Sequence, residues 1–218
     1  MQGNIKKTVP EPTLKRLPAY LHYLQKAREE GVLNISAPAI SKVLNCDPTQ
    51  VVKDISFTGA KGKPRLGYNT YELIHAIESF LGFHRTNEAF LVGAGNLGSA
   101  LMSYQYLKSF GLKIVAAFDI DPEKIGKQKG KINVLHIDKL QDLAPRLKIQ
   151  IGILTTPVEV AQEVAEKMVK CGIKAIWNLT PLNLSLPEHI IVQNTSMYSN
   201  VVVLLKKLHD SEKHNNNP

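Results

Sequence analysis

Cysteine is almost missing: Cys46 and Cys171 are the only two among 218 residues. Widely separated thiols make neither a disulfide framework nor a Cys-based metal spacing, which points to a reducing cytoplasm. They read as two small hydrophobes. No apolar run reaches the roughly 18 residues of a membrane span. The polar start, Met1-Gln2-Gly3-Asn4-Ile5-Lys6-Lys7, lacks the apolar core of a secretory signal. Seven histidines (His22, His75, His84, His136, His189, His209, His214) form no H-x-x-x-H or Cys/His pattern, so no metal site is expected. Nucleophile–base pairs and internal repeats are also absent from the pattern. Composition is otherwise ordinary, 44% hydrophobic and 21% charged, which excludes long disorder, collagen and coiled coil.

Acidic residues are outnumbered 19 to 27, for a net charge of +8. Up to Thr86 there are 12 basic and 7 acidic residues, and beyond it 15 and 12, so the excess is denser in the front part. A basic module suits a polyanion, although many basic proteins bind none.

The front part reads as helices. Pro18 suits a first turn, with Leu17, Leu21 and Leu24 as one stripe and Gly31 as the stop. Ser36 caps a second helix whose buried face is Ile40, Val43 and Leu44. Asp47-Pro48 opens a third, with Val51, Val52 and Ile55 as its apolar contacts. Residues 58–68, with three glycines, a proline and the cations Lys61, Lys63 and Arg65, suit a short hairpin with a basic tip. A fourth helix starts near Thr70, carrying Leu73, Ile74, Ile77 and Leu81. Three short helices and a basic hairpin make the winged-helix pattern. Its third helix would offer Thr49, Gln50 and Lys53 to a DNA major groove, with Lys61, Lys63 and Arg65 on the backbone or minor groove. The alternative is a solvated loop on a helical cap.

After a polar break at 82–87 the pattern changes. Apolar strands at 89–92, 114–118, 149–154 and 174–177 alternate with helical stretches at 97–110 and 158–169, and a weaker strand lies at 190–192. That alternation predicts a parallel sheet. An apolar helical face (Met197, Val201, Leu204, Leu205, Leu208) follows over 195–209, and 214–218 reads as disordered.

Gly93-Ala94-Gly95-Asn96-Leu97-Gly98 follows the first of these strands and opens a helix. The next strand ends at Asp119, 21 residues after Gly98. This is the Rossmann dinucleotide fingerprint in its proper context. Gly93 makes the turn, Gly95 admits a pyrophosphate and Gly98 allows close packing. Asp119 accepts ribose hydroxyls and, with Asp121, repels a 2′-phosphate, favouring NAD(H). Lys124 and Lys127 keep NADP(H) open. Thr155-Thr156-Pro157 ends a strand where a nicotinamide ribose could sit, or is a plain turn with Pro157 at N1. Asn178 stands on the same edge, as a ligand contact or a loop cap.

The chain resembles the Rex family of redox-sensing transcriptional repressors over roughly residues 8–209. The resemblance rests on 10–20 (PEPTLKRLPAY), Lys53-Asp54-Ile55-Ser56, the Gly93–Gly98 loop and 115–122 (VAAFDIDP). It implies a homodimer on a palindromic operator, with a C-terminal helix swapped into the partner subunit. NADH would release DNA and NAD⁺ would permit binding, with no turnover. Arg16 and Ser56 join the implied DNA contacts, and Tyr104 matches a tyrosine linked to redox sensing. Three features depart from the family pattern. Val52 replaces an arginine, Ser56-Phe57-Thr58-Gly59 replaces Ser-Tyr-Phe-Gly, and Ser196 stands where an aspartate is usual. The last removes a charge-assisted hydrogen bond.

The sequence therefore predicts an α/β chain: a winged-helix DNA-binding domain (1–84), a Rossmann NAD(H)-binding domain (85–193) and a C-terminal dimerisation helix with a tail (194–218). The expected function is a cytoplasmic, non-enzymatic repressor sensing NADH/NAD⁺. The alternatives are an NAD(P)-dependent oxidoreductase, a CoA-binding ligase-like subunit, or a Rex-like regulator without redox discrimination. An oxidoreductase would need a substrate domain, for which little chain remains.

Overall fold

The computed structural model describes residues 8–215. The chain forms two compact units that divide between Arg85 and Thr86.

In the first unit, α1 (Glu11–Glu29), α2 (Ala37–Leu44), α3 (Pro48–Phe57) and α4 (Thr70–Leu81) enclose one core. Leu17, Tyr20 and Leu24 meet Ile40, Val51, Ile55, Leu73, Ile74 and Ile77, all essentially buried. The helix starts follow local chemistry. The Ser36 hydroxyl accepts from the Ala39 amide, Asp47 accepts from the Thr49 and Gln50 amides, and Asn69 accepts from that of Glu72. Gly31 and Gly82 leave α1 and α4 at φ 80° and 74°, a region glycine enters without a Cβ clash. Strand β1 (Asn34–Ile35) pairs antiparallel with β2 (Tyr68–Asn69). The expected basic hairpin closes where the Lys63 and Gly67 backbones exchange hydrogen bonds of 2.7 and 2.9 Å. Its tip is Pro64-Arg65-Leu66.

Three expectations are corrected here. Pro18 lies inside α1, because the helix begins at Glu11 with Pro10 as N-cap and Pro12 in the first turn. Burial of Thr13 and Leu17 ahead of Pro18, and of Tyr20 and Leu21 behind it, carries the helix through despite the lost donor. Val43 and Val52 are exposed rather than buried, since the core sides of α2 and α3 are filled by Ile40, Val51 and Ile55.

The second unit is a seven-stranded sheet. Its strands are β3 (Asn87–Val92), β4 (Leu112–Asp119), β5 (Gln128–Lys129), β6 (Ile132–His136), β7 (Ile151–Leu154), β8 (Ala175–Asn178) and β9 (Ile191–Asn194). The order is β5-β6-β4-β3-β7-β8-β9, parallel except for β5 against β6. The six parallel strands have the doubly wound Rossmann order, which reverses between β3 and β7. Helices α5 (Asn96–Ser103), α6 (Tyr106–Ser109), α7 (Leu140–Leu147) and α8 (Val158–Lys170) connect them. Phe90 and Phe118 meet edge-on at 5.0 Å in the larger core.

The helix expected over 97–110 is two pieces, broken at Tyr104, whose backbone is extended. Ser99 and Ser103 hydroxyls bond back to the Ala94 and Ser99 carbonyls at 3.3 and 3.1 Å, competing with the helical ladder before the break. Strands β5 and β6 and helix α7 had no sequence expectation. The final helix, α9 (Met197–Asn215), extends into the stretch expected to be disordered, and 216–218 lie outside the described residues. It exposes Val201, Leu204, Leu205 and Leu208, while the Met197 side chain lies outside the description. Among the described residues no helix is long and apolar enough to cross a membrane.

Candidate functional site

A cleft of about 760 Å³ opens at the carboxyl ends of the strands where the sheet order reverses. Ligands of doubly wound sheets bind at this position because two diverging crossovers leave a crevice there. Gly93, Gly95, Asp119, Asp121, Lys124, Thr155, Thr156 and Pro157 all line it.

The glycines differ in their reasons. Gly93 has φ 103°, and a Cβ there would stand 2.7 Å from the Thr155 carbonyl. At Gly98 a Cβ would collide with the Gly93 carbonyl oxygen. Gly95, the N-cap of α5, lines the cleft and has open space where a Cβ would stand, at the end of the helix where an anion is favoured. Ala94, Asn96, Leu97 and Gly98 build the loop and first turn behind this opening.

Asp119 ties β4 to that loop. Its Oδ2 accepts from the Ala94 amide at 2.8 Å, and Oδ1 accepts from the Ile120 and Asp121 amides at 2.8 and 3.0 Å. Lys124 Nζ sits 3.4 Å from Asp119 and 3.2 Å from Asp121. The Glu123 amide and Lys124 hold the Asp121 carboxyl below its ordinary range, and Asp121, then Asp119, raises Lys124. Two carboxylates against one ammonium leave this end net negative.

Thr155 serves the loop: its hydroxyl lies 2.7 and 3.1 Å from the Gly93 and Val92 carbonyls. Thr156 is different. Its buried Oγ1 has no hydrogen-bond partner, a cost a bound ligand would remove. Pro157 is the N-cap of α8 rather than its first residue.

Asn178 and Tyr104 are not brought to the cleft. Asn178 is fully buried: its amide donates to the Leu182 carbonyl and Asn194 Oδ1, and its oxygen accepts from Thr180. Tyr104 is 53% exposed and borders a separate shallow depression with Leu107 and Ile132. Ser196, just ahead of α9, accepts from the Ser199 amide at 3.2 Å.

The far wall was missed. Asp138 accepts from Lys167 Nζ at 2.8 Å and lies 3.2 Å from His136 Nδ1; Lys167 chiefly lowers its carboxyl. All three line the cleft. Val160, Val164 and Lys167 share one α8 face, a spacing legible in sequence. His136 needed β6 to be recognised.

In the first unit, Thr49, Lys53, Ser56, Lys61, Lys63 and Arg65 are exposed. The Ser56 hydroxyl donates to the Lys53 carbonyl at 2.6 Å. Arg16 and Gln50 turn inward. Arg16 grips the buried Asp54 with two bonds of 2.7 and 2.9 Å. Thr13, Tyr20 and Gln50 donate to the same carboxylate at 2.8, 2.8 and 2.9 Å. Burial pushes Asp54 up, but these donors, Arg16 foremost, outweigh it and hold the carboxyl at about 2. Near the end of α4, His75, Glu78 and His84 also come together, which their spacing does not announce.

Two family matches follow this division: Putative DNA-binding protein N-terminus over residues 8–56 and CoA binding domain over 84–182. The redox-sensing transcriptional repressor Rex of Bacteroides thetaiotaomicron is 44% identical over 204 residues, 94% of this chain and 93% of that protein. The Treponema denticola protein of the same name is 44% identical over 200 residues, 91% of this chain and 95% of that protein. The crystal structure of RSP in complex with β-NAD⁺ and operator DNA superposes with a TM-score of 0.89 at 31% identity, covering 96% of both chains. RSP in complex with β-NADH gives 0.86 at 30% identity, covering 97% of this chain and all of that one. With the fingerprint cleft, the basic helical unit and these relatives together, the chain belongs to the Rex family of redox-sensing transcriptional repressors.

Proposed function

We propose that this chain is a repressor that reads the NADH/NAD⁺ ratio, NADH binding releasing it from operator DNA. The observation carrying this reading is the cleft at the sheet reversal, with open space at Gly95 and an orphaned Thr156 hydroxyl. Both features fit a dinucleotide. The coenzyme supplies the redox state, as a nicotinamide ring that is charged when oxidised and neutral when reduced. Residues 93–98 and the first turn of α5 take the pyrophosphate. Asp119 takes the adenosine ribose, and Asp121, with Lys124 held between the two carboxylates, disfavours a 2′-phosphate. Thr156 and Pro157 face the nicotinamide end, Thr155 sets the loop, and Asn178 acts by holding the turn after β8. Tyr104 lies outside the cleft, and its part in redox sensing rests on the family resemblance alone. The coenzyme is sensed and not turned over.

In the front domain (1–84), α3 presents Thr49 and Lys53 to DNA, and the hairpin presents Lys61, Lys63 and Arg65 to the backbone. Ser56 completes the contact, and Arg16 and Gln50 act through their bonds to Asp54, which hold α3 against α1. The nucleotide domain spans 85–193. Residues 194–218 make the dimerisation segment, where Val201, Leu204, Leu205 and Leu208 form the face a second copy covers. A two-fold dimer reads a palindrome.

The test is operator binding at fixed salt with NADH and NAD⁺ titrated separately. NADH-specific release is expected. DNA binding indifferent to both nucleotides would instead mark a regulator whose Ser196 has cost it redox discrimination.

A further inference from the structure

We propose that His75, Glu78 and His84 form a binding site for a divalent transition-metal ion of the zinc type. The site lies where the chain leaves the first unit. None of its residues lines the cleft or belongs to the basic hairpin.

Residues three apart on a helix share a face, so His75 and Glu78 stand together on α4. Gly82, at φ 74°, then turns the chain, with the Phe83 amide bonded to the Glu78 carbonyl at 3.0 Å. That turn folds His84 back over the helix. Its ring lies 5.8 Å from the His75 ring at an interplanar angle of 30°. One ring nitrogen of each histidine and a Glu78 carboxylate oxygen all lie within 4.8 Å of one another.

Two imidazoles and one carboxylate suit Zn²⁺ with water in the fourth position, whereas Mg²⁺ and Ca²⁺ ask for oxygen donors throughout. Tetrahedral ligands about 2.1 Å from zinc are about 3.4 Å apart, so modest side-chain rotation closes the set. Both histidines are exposed. The surroundings restrain the ligands, as outer partners of a metal site do. Ser79 Oγ is 3.0 Å from His84 Nε2, Gln25 donates to Glu78 at 3.4 Å, and the Tyr71 ring meets His75 edge-on at 5.0 Å. A bound cation would tie His84, beyond the Gly82 turn, to His75 and Glu78 on α4.

Zn²⁺ titration of the chelator-treated full chain by calorimetry tests this. One ion per chain is expected to bind through these residues, with a rise in melting temperature. Outer-sphere changes alone cost about 10–100-fold in affinity, so His75→Ala and His84→Ala should each lose more than about 100-fold, and Glu78→Gln at least about tenfold. His22→Ala, on α1, should bind as the parent does. The altered rings are exposed, and metal-free melting verifies that each variant is folded. Absence of binding at millimolar Zn²⁺, or binding unchanged in both histidine variants, would overturn the proposal.

Discussion

Asp54 holds the most committed polar site of the first unit. Its carboxylate takes donors from Thr13, Arg16 and Tyr20 on α1 and from Gln50 one turn earlier on α3. Removing it leaves a guanidinium and three further donors facing an empty site, so Asp54→Ala should destabilise the protein by about 3–5 kcal/mol, read by denaturant unfolding. The pH dependence has a definite sign. A carboxyl held at about 2, against about 3.9 unfolded, adds stability above about pH 4. That contribution, on the order of 2 kcal/mol, disappears as pH falls toward 2. Unfolding measured from pH 5 to 2 should show this loss in the parent and lack it in Asp54→Ala. The same network separates two cations that look alike in sequence. Arg16→Ala should lower both stability and operator affinity, whereas Lys53→Ala should lower only affinity. In the cleft, Thr156→Val removes an unpartnered buried hydroxyl. Parent-like stability with weaker NADH binding is expected; unchanged binding on fluorescence titration would remove Thr156 from the site.

At the scale of elements, the cleft depends on how closely α5 approaches the loop before it. Gly98 sits in the first turn with no room for a Cβ beneath the Gly93 carbonyl. Gly98→Ala should therefore displace the start of α5 and weaken NADH binding by at least about tenfold, equivalent to about 1.4 kcal/mol. Gly172, by contrast, has open space around a Cβ, though φ 96° still strains one. Gly172→Ala should lose stability and retain nucleotide affinity, separating backbone strain from site geometry in the same pair of assays. Cap chemistry made several boundaries legible: Gly31, Ser36 and Asp47-Pro48 mark real helix ends. It failed at Tyr104, where the apolar period ran on while the backbone turned away, and at β6, whose five residues are too few to show a period.

For the whole molecule, sensing requires that coenzyme and operator oppose each other. Linkage makes this reciprocal: whatever factor NADH takes from operator affinity, operator must take from NADH affinity. Moving a population from 1:99 to 99:1 needs a differential affinity of about 10⁴. Measuring both halves of the cycle at one salt concentration should return equal factors. Lys53→Ala should weaken operator binding, reduce the salt slope by about one phosphate contact and leave NADH affinity unchanged. Equal loss of both affinities would mean the two functions are not carried by separate units.

Sequence by itself determined the division into a basic helical part and a parallel sheet, the Gly93–Gly98 loop and Asp119. Each of these is a local requirement: a helical period, a cap, a φ only glycine accepts, or a strand ending a fixed distance from a turn. Tertiary structure alone decided which polar side chains are free to act. Arg16 and Gln50 are spent on Asp54, Asn178 on its own loop, and Thr155 on the glycine turn, while Thr156 is left unpartnered. His136, Asp138 and Lys167 reach the cleft from β6, from the turn after it and from α8, and His84 meets His75 across a turn. Hydrogen-bond partners and ligand sets are fixed by proximity in space, which the order of residues along the chain does not encode locally.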